Sequence, residues 1–287
     1  MADDSGRATA GRCPGALGGR DGATRPRLFG SAAAARFTGA RRRGAAHRHR
    51  FGPDNRSVTL SPDHARLSVT ASPSAPTSAV LVLHGGSVDS TGPVRRWSTA
   101  LLRLVPVARA VAEQVPSAAV YRLRFSVRGW NGDGAAVLRD AHWAVRRITQ
   151  QHPGIPIVTV GHSLGGRVAV QTARTEPGVV GAVGLAPWLV ADDPVQGLDG
   201  VPLFVVHGTS DGTIPEESTH AWLTRARSEG AVVQAVLIER GDHPMLRFFR
   251  RWHALAAEGV QAVLAAVPPG TDDQPGGTSH GLDSGRR

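Results

Sequence analysis

Lysine is absent from this chain: all 33 basic residues are arginine, in a sequence dense in alanine and glycine. That bias follows the composition of a GC-rich coding sequence and does not by itself point to a function. Cysteine occurs once, as Cys13, so no intramolecular disulfide forms and a cysteine-rich metal site is excluded. No apolar run reaches the roughly 18 residues that a membrane-spanning helix needs. The triplet Arg41-Arg42-Arg43 is followed by Gly-Ala-Ala-His-Arg rather than by an apolar stretch, so an export signal is not readable. These absences lead to an expected cytoplasmic location with no membrane contact.

Positive charge is abundant but unevenly placed. Residues 1–56 hold twelve arginines against four aspartates, which accounts for eight of the ten net positive charges. Only about two are left to residues 57–287, too few for a nucleic-acid-binding face. The segment 1–56 has no sustained apolar period and cannot bury enough surface to offset its ordering entropy, so it reads as a disordered tail. The stretch 268–287, rich in Pro, Gly and Asp, reads as a second one.

Between them, 57–267 is long enough to bury one large core. Short β-branched runs alternate there with amphipathic stretches, the pattern of a mostly parallel sheet wrapped by helices. Eight strands are expected, at 57–60, 66–70, 79–83, 118–124, 157–160, 179–185, 203–206 and 232–238. The first two should form an antiparallel hairpin around Ser61-Pro62-Asp63. Helical periodicity is clearest over 94–113, 134–150, 164–174, 216–229 and 247–267.

Gly161-His162-Ser163-Leu164-Gly165 falls between a buried strand and a helix. A serine on so tight a turn needs glycine two residues to either side, and its hydroxyl then stands above the sheet. In a chain with 35 glycines the string alone is weak, and its position is what gives it weight. His207-Gly208-Thr209-Ser210-Asp211 follows another apolar strand and puts Asp211 beyond a strand's C-terminal end, where open α/β sheets place their sites. Arg240-Gly241-Asp242-His243 puts His243 after the last strand. Nucleophile, acid, histidine is the chain order that elbow-type hydrolases use.

With those motifs, 57–267 resembles the α/β-hydrolase superfamily, most closely its small lid-poor esterases, akin to dienelactone hydrolases and the catalytic domains of prolyl oligopeptidases. The resemblance implies an α/β-hydrolase fold with a mostly parallel eight-stranded sheet and helices on both faces. Only about fifteen residues part the sixth and seventh strands, so no large cap domain is expected. It also implies a triad of Ser163, Asp211 and His243. Leu83-His84-Gly85-Gly86-Ser87 looks like the family's oxyanion segment, with donors at the Gly86 amide, or its neighbour Ser87, and at the Leu164 amide.

Competing readings stand beside each residue. Asp192 or Asp193 are rival acids, and Asp242 reads as a loop-shaping residue. His84, His162 and His207 read as structural hydrogen-bonding groups, and His47 and His49 as too few to argue a metal. Trp130 and Trp188 are expected at the active-site edge, where they would wall an acyl pocket. The expected function is hydrolysis of an ester-type bond in a small-molecule substrate through an acyl-enzyme on Ser163, with no cofactor, metal or nucleic acid. The alternatives are a small-substrate peptidase or thioesterase with the same triad, and a non-enzymatic ligand-binding member of the fold.

Overall fold

The structure is a computed structural model that describes residues 58–267. Both expected tails, with Cys13, His47 and His49, lie outside the described residues.

Eight strands form one sheet: β1 (Val58–Leu60), β2 (Arg66–Ala71), β3 (Ser78–Leu83), β4 (Ala118–Arg124), β5 (Ile157–His162), β6 (Val179–Leu185), β7 (Pro202–Gly208) and β8 (Val232–Ile238). Their spatial order is β1-β2-β4-β3-β5-β6-β7-β8. The β1/β2 and β2/β4 pairs are antiparallel and every other pair is parallel. The helices are α1 (Thr99–Gln114), α2 (Ala135–Gln151), α3 (Leu164–Thr175), α4 (Glu216–Ser228) and α5 (Phe249–Ala266).

The sequence pattern explains the layering. β3, β5 and β7 are buried at every position, as strands covered on both faces must be, so they read as unbroken apolar runs. Along β3, Ala79, Leu81 and Leu83 point into one core with Val137 and Ile148 of α2, Val168 of α3 and Trp222 of α4. Val80 and Val82 point the other way, into a core with Leu104 and Val111 of α1 and Trp252 and Val260 of α5. The period of two divides one strand between two cores.

Two boundaries differ from expectation in ways that matter at the site. α1 begins at Thr99 rather than at residue 94, because Val94 is buried in the preceding loop and Pro93 bridges Val127. Apolarity there anchors a loop instead of continuing a helix. β5 and β7 run two residues further than their β-branched cores, so His162 and His207-Gly208 belong to the strands. Residues 186–201 join β6 to β7 with no helix or strand, so no cap domain is inserted there. Among the described residues no helix is long and apolar enough to cross a membrane.

Candidate active site

The sharpest turn in the site is the one between β5 and α3. Ser163 occupies it with φ 55° and ψ −120°, a strained region for a residue with a Cβ. Surrounding contacts hold it there. The Ser163 amide donates to the Leu185 carbonyl at 3.1 Å, and the Ser163 carbonyl accepts from the amides of Gly166, Arg167 and Trp188 at 2.9, 3.2 and 3.0 Å. A Cβ on Gly161 would sit 2.0 Å from the Gly165 carbonyl oxygen, and one on Gly165 would sit 2.3 Å from that of Leu83. Backbone passes so close on both sides that only glycine fits, which is the steric need inferred from the motif.

The loops after β7 and β8 bring a carboxylate and an imidazole to this serine. His243 Nε2 lies 3.0 Å from Ser163 Oγ, and His243 Nδ1 lies 2.8 Å from Asp211 Oδ2. The other carboxylate oxygen, Asp211 Oδ1, accepts the amides of Thr213 and Ile214, each at 2.8 Å. Burial opposes the charge on Asp211, whose side chain is 1% exposed. Hydrogen bonds from His207, His243, Ile214 and Thr213 outweigh that penalty and hold its carboxyl well below the usual carboxylate range. An ionised carboxylate accepts the Nδ1 proton of His243, leaving Nε2 with a free lone pair toward the serine hydroxyl.

Three further histidines stand around these groups. His84 Nδ1–H donates to the Gly85 carbonyl at 2.7 Å while its Nε2 accepts the Phe125 amide at 3.2 Å, tying the end of β3 to that of β4. His162 Nε2–H donates to the His243 carbonyl at 2.8 Å, and the two rings lie 4.9 Å apart. His207 Nε2–H donates to the Ile214 carbonyl at 3.1 Å and faces Asp211 Oδ2 at 3.4 Å. Their expected hydrogen-bonding character is therefore what the geometry displays, and the partners of His162 and His207 are the loops that carry the base and the acid.

Burial pushes the His84 ring down to about 4 and the His162 ring down to about 3, so both are neutral in the fold at neutral pH. In the unfolded chain they titrate near 6.5, so below that value unfolding takes up protons that the folded state refuses. Folding stability is then fully present above about pH 6.5 and falls as the pH approaches 4, by on the order of 3 kcal/mol for each ring. Asp211 acts with the same sign at lower pH. Calorimetric melting between pH 7 and 4.5 should show Tm falling steadily, and a flat profile would contradict the neutral burial of these rings.

The amides expected as oxyanion donors differ in their partners. Ser87 N–H donates to the Arg128 carbonyl at 3.0 Å, so it is occupied. Gly86 is solvent-exposed, and its amide meets no acceptor among the described residues; the same holds for the Leu164 amide at the start of α3. A Cβ on Gly86 would lie 3.1 Å from Leu164 Cδ1, which puts the two segments in contact. Beside Gly86 opens a cavity of about 400 Å³ lined by Gly85, Ser87, Ser90, Ser98 and Arg128, among others.

Trp130 and Trp188, expected to wall an acyl pocket, are not among the residues that line that cavity. They come together edge to face, with ring centroids 6.4 Å apart, around Arg167. The Arg167 guanidinium lies 3.8 Å from the Trp130 ring centroid and 4.7 Å from that of Trp188, and it bonds Asp193 Oδ1 through Nε and Nη2. A buried cation needs that carboxylate and those π faces, so the tryptophans are spent on it. The pairing removes Asp193 as a rival acid. Asp242 accepts the Arg247 amide and shapes its loop. In the sequence Arg167 stands out only as a bulky helix residue just after the elbow glycines; its place in the otherwise apolar stretch Leu164–Val170 is the signal that it has a buried partner. Among the described residues no three His, Cys, Asp or Glu side chains converge to hold a metal ion.

The model of a family described as serine aminopeptidase, S33, matches residues 126–200, a stretch that contains Ser163 and ends before Asp211. No curated protein sequence matches the chain. Solved structures do. An Agrobacterium tumefaciens protein of unknown function, classed provisionally as an alpha/beta hydrolase, is 15% identical with a TM-score of 0.59, covering 75% of this chain and 99% of its own. A sugar hydrolase from Lactococcus lactis is 16% identical with a TM-score of 0.58, covering 74% and 100%. An esterase from Thermogutta terrifontis, solved with propionate bound, is 18% identical with a TM-score of 0.57, covering 75% and 97%. At such identities the likeness speaks for architecture, and together with the strand order and the serine turn it shows that this chain has the α/β-hydrolase fold.

Proposed function

We propose that the protein is a serine hydrolase that cleaves an ester-type bond of a small-molecule substrate through an acyl-enzyme on Ser163. The observation that carries this reading is the unbroken hydrogen-bond line from Ser163 Oγ through His243 to Asp211, at 3.0 and 2.8 Å.

The chemistry follows from those atoms. His243 Nε2 takes the Ser163 hydroxyl proton as Oγ bonds to the substrate carbonyl carbon. The carbonyl oxygen becomes an oxyanion and is held by the Gly86 and Leu164 amides, which bear most on the rate because charge grows there. The imidazolium formed on His243, steadied by the Asp211 carboxylate, gives its proton to the departing alcohol oxygen. Water then enters, passes a proton to His243 and attacks the acyl carbon, and Ser163 leaves with the proton returned by the same ring. The cavity of about 400 Å³ beside Gly86 is of a size for a small acyl or alcohol group.

The solved esterase with bound propionate on this fold agrees with a small acyl group. The family description of serine aminopeptidase supports a second reading, amide hydrolysis with the same triad. A panel of p-nitrophenyl esters of graded acyl length, matched thioesters and aminoacyl anilides separates them. The expected outcome is the highest kcat/KM on a short-acyl ester. Turnover of anilides with esters untouched would shift the function to a peptidase. No turnover of any class, with Ser163 left unlabelled by a fluorophosphonate, would leave a ligand-binding protein.

A further inference from the structure

Five consecutive residues after the candidate base, Leu246-Arg247-Phe248-Phe249-Arg250, are all exposed. Leu246 is 67% exposed, Phe249 50% and Phe248 45%, and across from them Trp97 is 60% and Leu102 50% exposed. Isolated apolar residues on a surface are ordinary, but a run of three large ones within four positions, beside two more, is a patch that calls for an occupant. Phe248 also has φ 59°, a left-handed conformation that a bulky residue adopts at a cost.

The two segments lie side by side. α1 and α5 share one core, and Gln261 Nε2 on α5 donates to the Gln114 carbonyl at the last residue of α1 at 2.9 Å. That bond ties the end of α1 to the C-terminal third of α5. Arg103 on α1 lies within electrostatic reach of both Asp242 and His162, which fixes the start of α1 beside the His243 loop. Both helices start after strands β3 and β8 end, so the patch occupies the edge of the sheet where Ser163 stands.

Its charge is predominantly positive, with Asp242 at its border beside Arg247. Arg95, Arg96, Arg247 and Arg250 are exposed within it, and the segments 93–103 and 244–251 contain no Asp or Glu. Arg96 sits over the Trp97 ring at 5.5 Å and Arg250 over the Phe249 ring at 5.9 Å, so cation and apolar body are interleaved. Arg251 is directed along the helix to Glu258 at 3.5 Å. A second copy of this surface would set arginines against arginines. The segment 1–56, with twelve arginines, is like-charged as well. The occupant must be anionic and must accept Phe, Trp and Leu side chains at once, which is the chemistry of a bilayer interface rich in acidic phospholipid.

We propose that the patch formed by Trp97, Leu102, Leu246, Phe248 and Phe249, with its four arginines, docks the protein on an anionic membrane surface, with the Ser163 edge turned toward the lipid. Such contact needs no spanning helix, so the lack of long apolar runs does not bear on it. Nor does it depend on what Ser163 hydrolyses.

The test is co-sedimentation of the full chain with vesicles of phosphatidylcholine alone or with about one third phosphatidylglycerol. Binding is expected only with the acidic lipid. A Trp97→Ser/Leu246→Ser/Phe249→Ser variant should bind at least about tenfold more weakly. That variant should keep the wild-type turnover of a water-soluble ester. Should it fail to fold, Arg247→Gln/Arg250→Gln leaves the apolar residues in place and should weaken binding to a similar degree. Because the segment 1–56 is common to every variant, unchanged affinity in both would assign binding to that segment and overturn the proposal. Absence of binding by the wild type would overturn it too, as would loss of duplex DNA binding in the variants with vesicle binding intact.

Discussion

Replacing Ser163 by alanine is expected to lower kcat/KM on a short-acyl ester by a factor on the order of 10⁵ or more, with little change in KM. The reason is the position of Oγ. It lies 3.0 Å from His243 Nε2, the one side-chain hydroxyl bonded to that ring among the described residues, so without it the base has no nucleophile to activate and only water can attack. The Gly86 and Leu164 amides remain, which leaves a residual rate from oxyanion binding alone. Alanine keeps the same Cβ on the same strained backbone, so the substitution adds no new conformational cost at φ 55°. The variant should therefore melt at the wild-type Tm, and its loss of rate should coincide with loss of the fluorophosphonate adduct. More than about one hundredth of wild-type turnover in the pure Ser163→Ala protein would remove Ser163 from the mechanism.

How much of this was open to a reader of the sequence divides along a physical line. Strands such as β3 and β7 are legible because sheet burial on both faces demands unbroken apolar runs, and the residues that meet that demand are local. The Gly161 and Gly165 positions are legible for a similar reason, since the steric need lies within five residues of chain. What the sequence hides is partnership across distance. His162 meets the His243 carbonyl 81 residues on, and Arg167 meets Asp193 26 residues on. Neither histidine nor arginine carries its partner's address.

The same limit explains the tryptophans. Trp130 and Trp188 are placed near the site by their loops, but which surface they face is decided by Arg167, a residue of a third element. Whether the Ser87 amide is free beside that of Gly86 turns on the Arg128 carbonyl, 41 residues after Ser87. That carbonyl accepts it. The exposed Leu-Arg-Phe-Phe-Arg run at 246–250 reads in the sequence as the apolar start of a helix. Only the packing of Trp252, Leu255 and Ala256 inward leaves Phe248 and Phe249 outside.

Asp211→Asn is expected to reduce kcat by about 10⁴-fold while leaving KM and the fold nearly unaltered. The carboxylate is held by two different kinds of partner, and they dictate how an amide would sit. Oδ1 accepts two backbone amides, Thr213 and Ile214, each at 2.8 Å. Only an oxygen satisfies that position, so the asparagine oxygen goes there and its NH₂ group is forced into the place of Oδ2. That NH₂ then faces His243 Nδ1, where a carboxylate oxygen lay at 2.8 Å. A donor at that point favours the tautomer with its proton on Nε2, and Nε2–H directed at Ser163 Oγ cannot accept the hydroxyl proton. The NH₂ also meets His207 Nε2–H, a second donor, which stood 3.4 Å from Oδ2. The base is thus disabled through its tautomer and not through its position. Asp211→Ala should be impaired too, but without a donor forcing the ring the wrong way. Comparing kcat for the two variants at one pH, with the His243 tautomer read by ¹⁵N NMR, checks the argument. A loss of less than about tenfold in Asp211→Asn, or an Nδ1-protonated ring in that variant, would reject it.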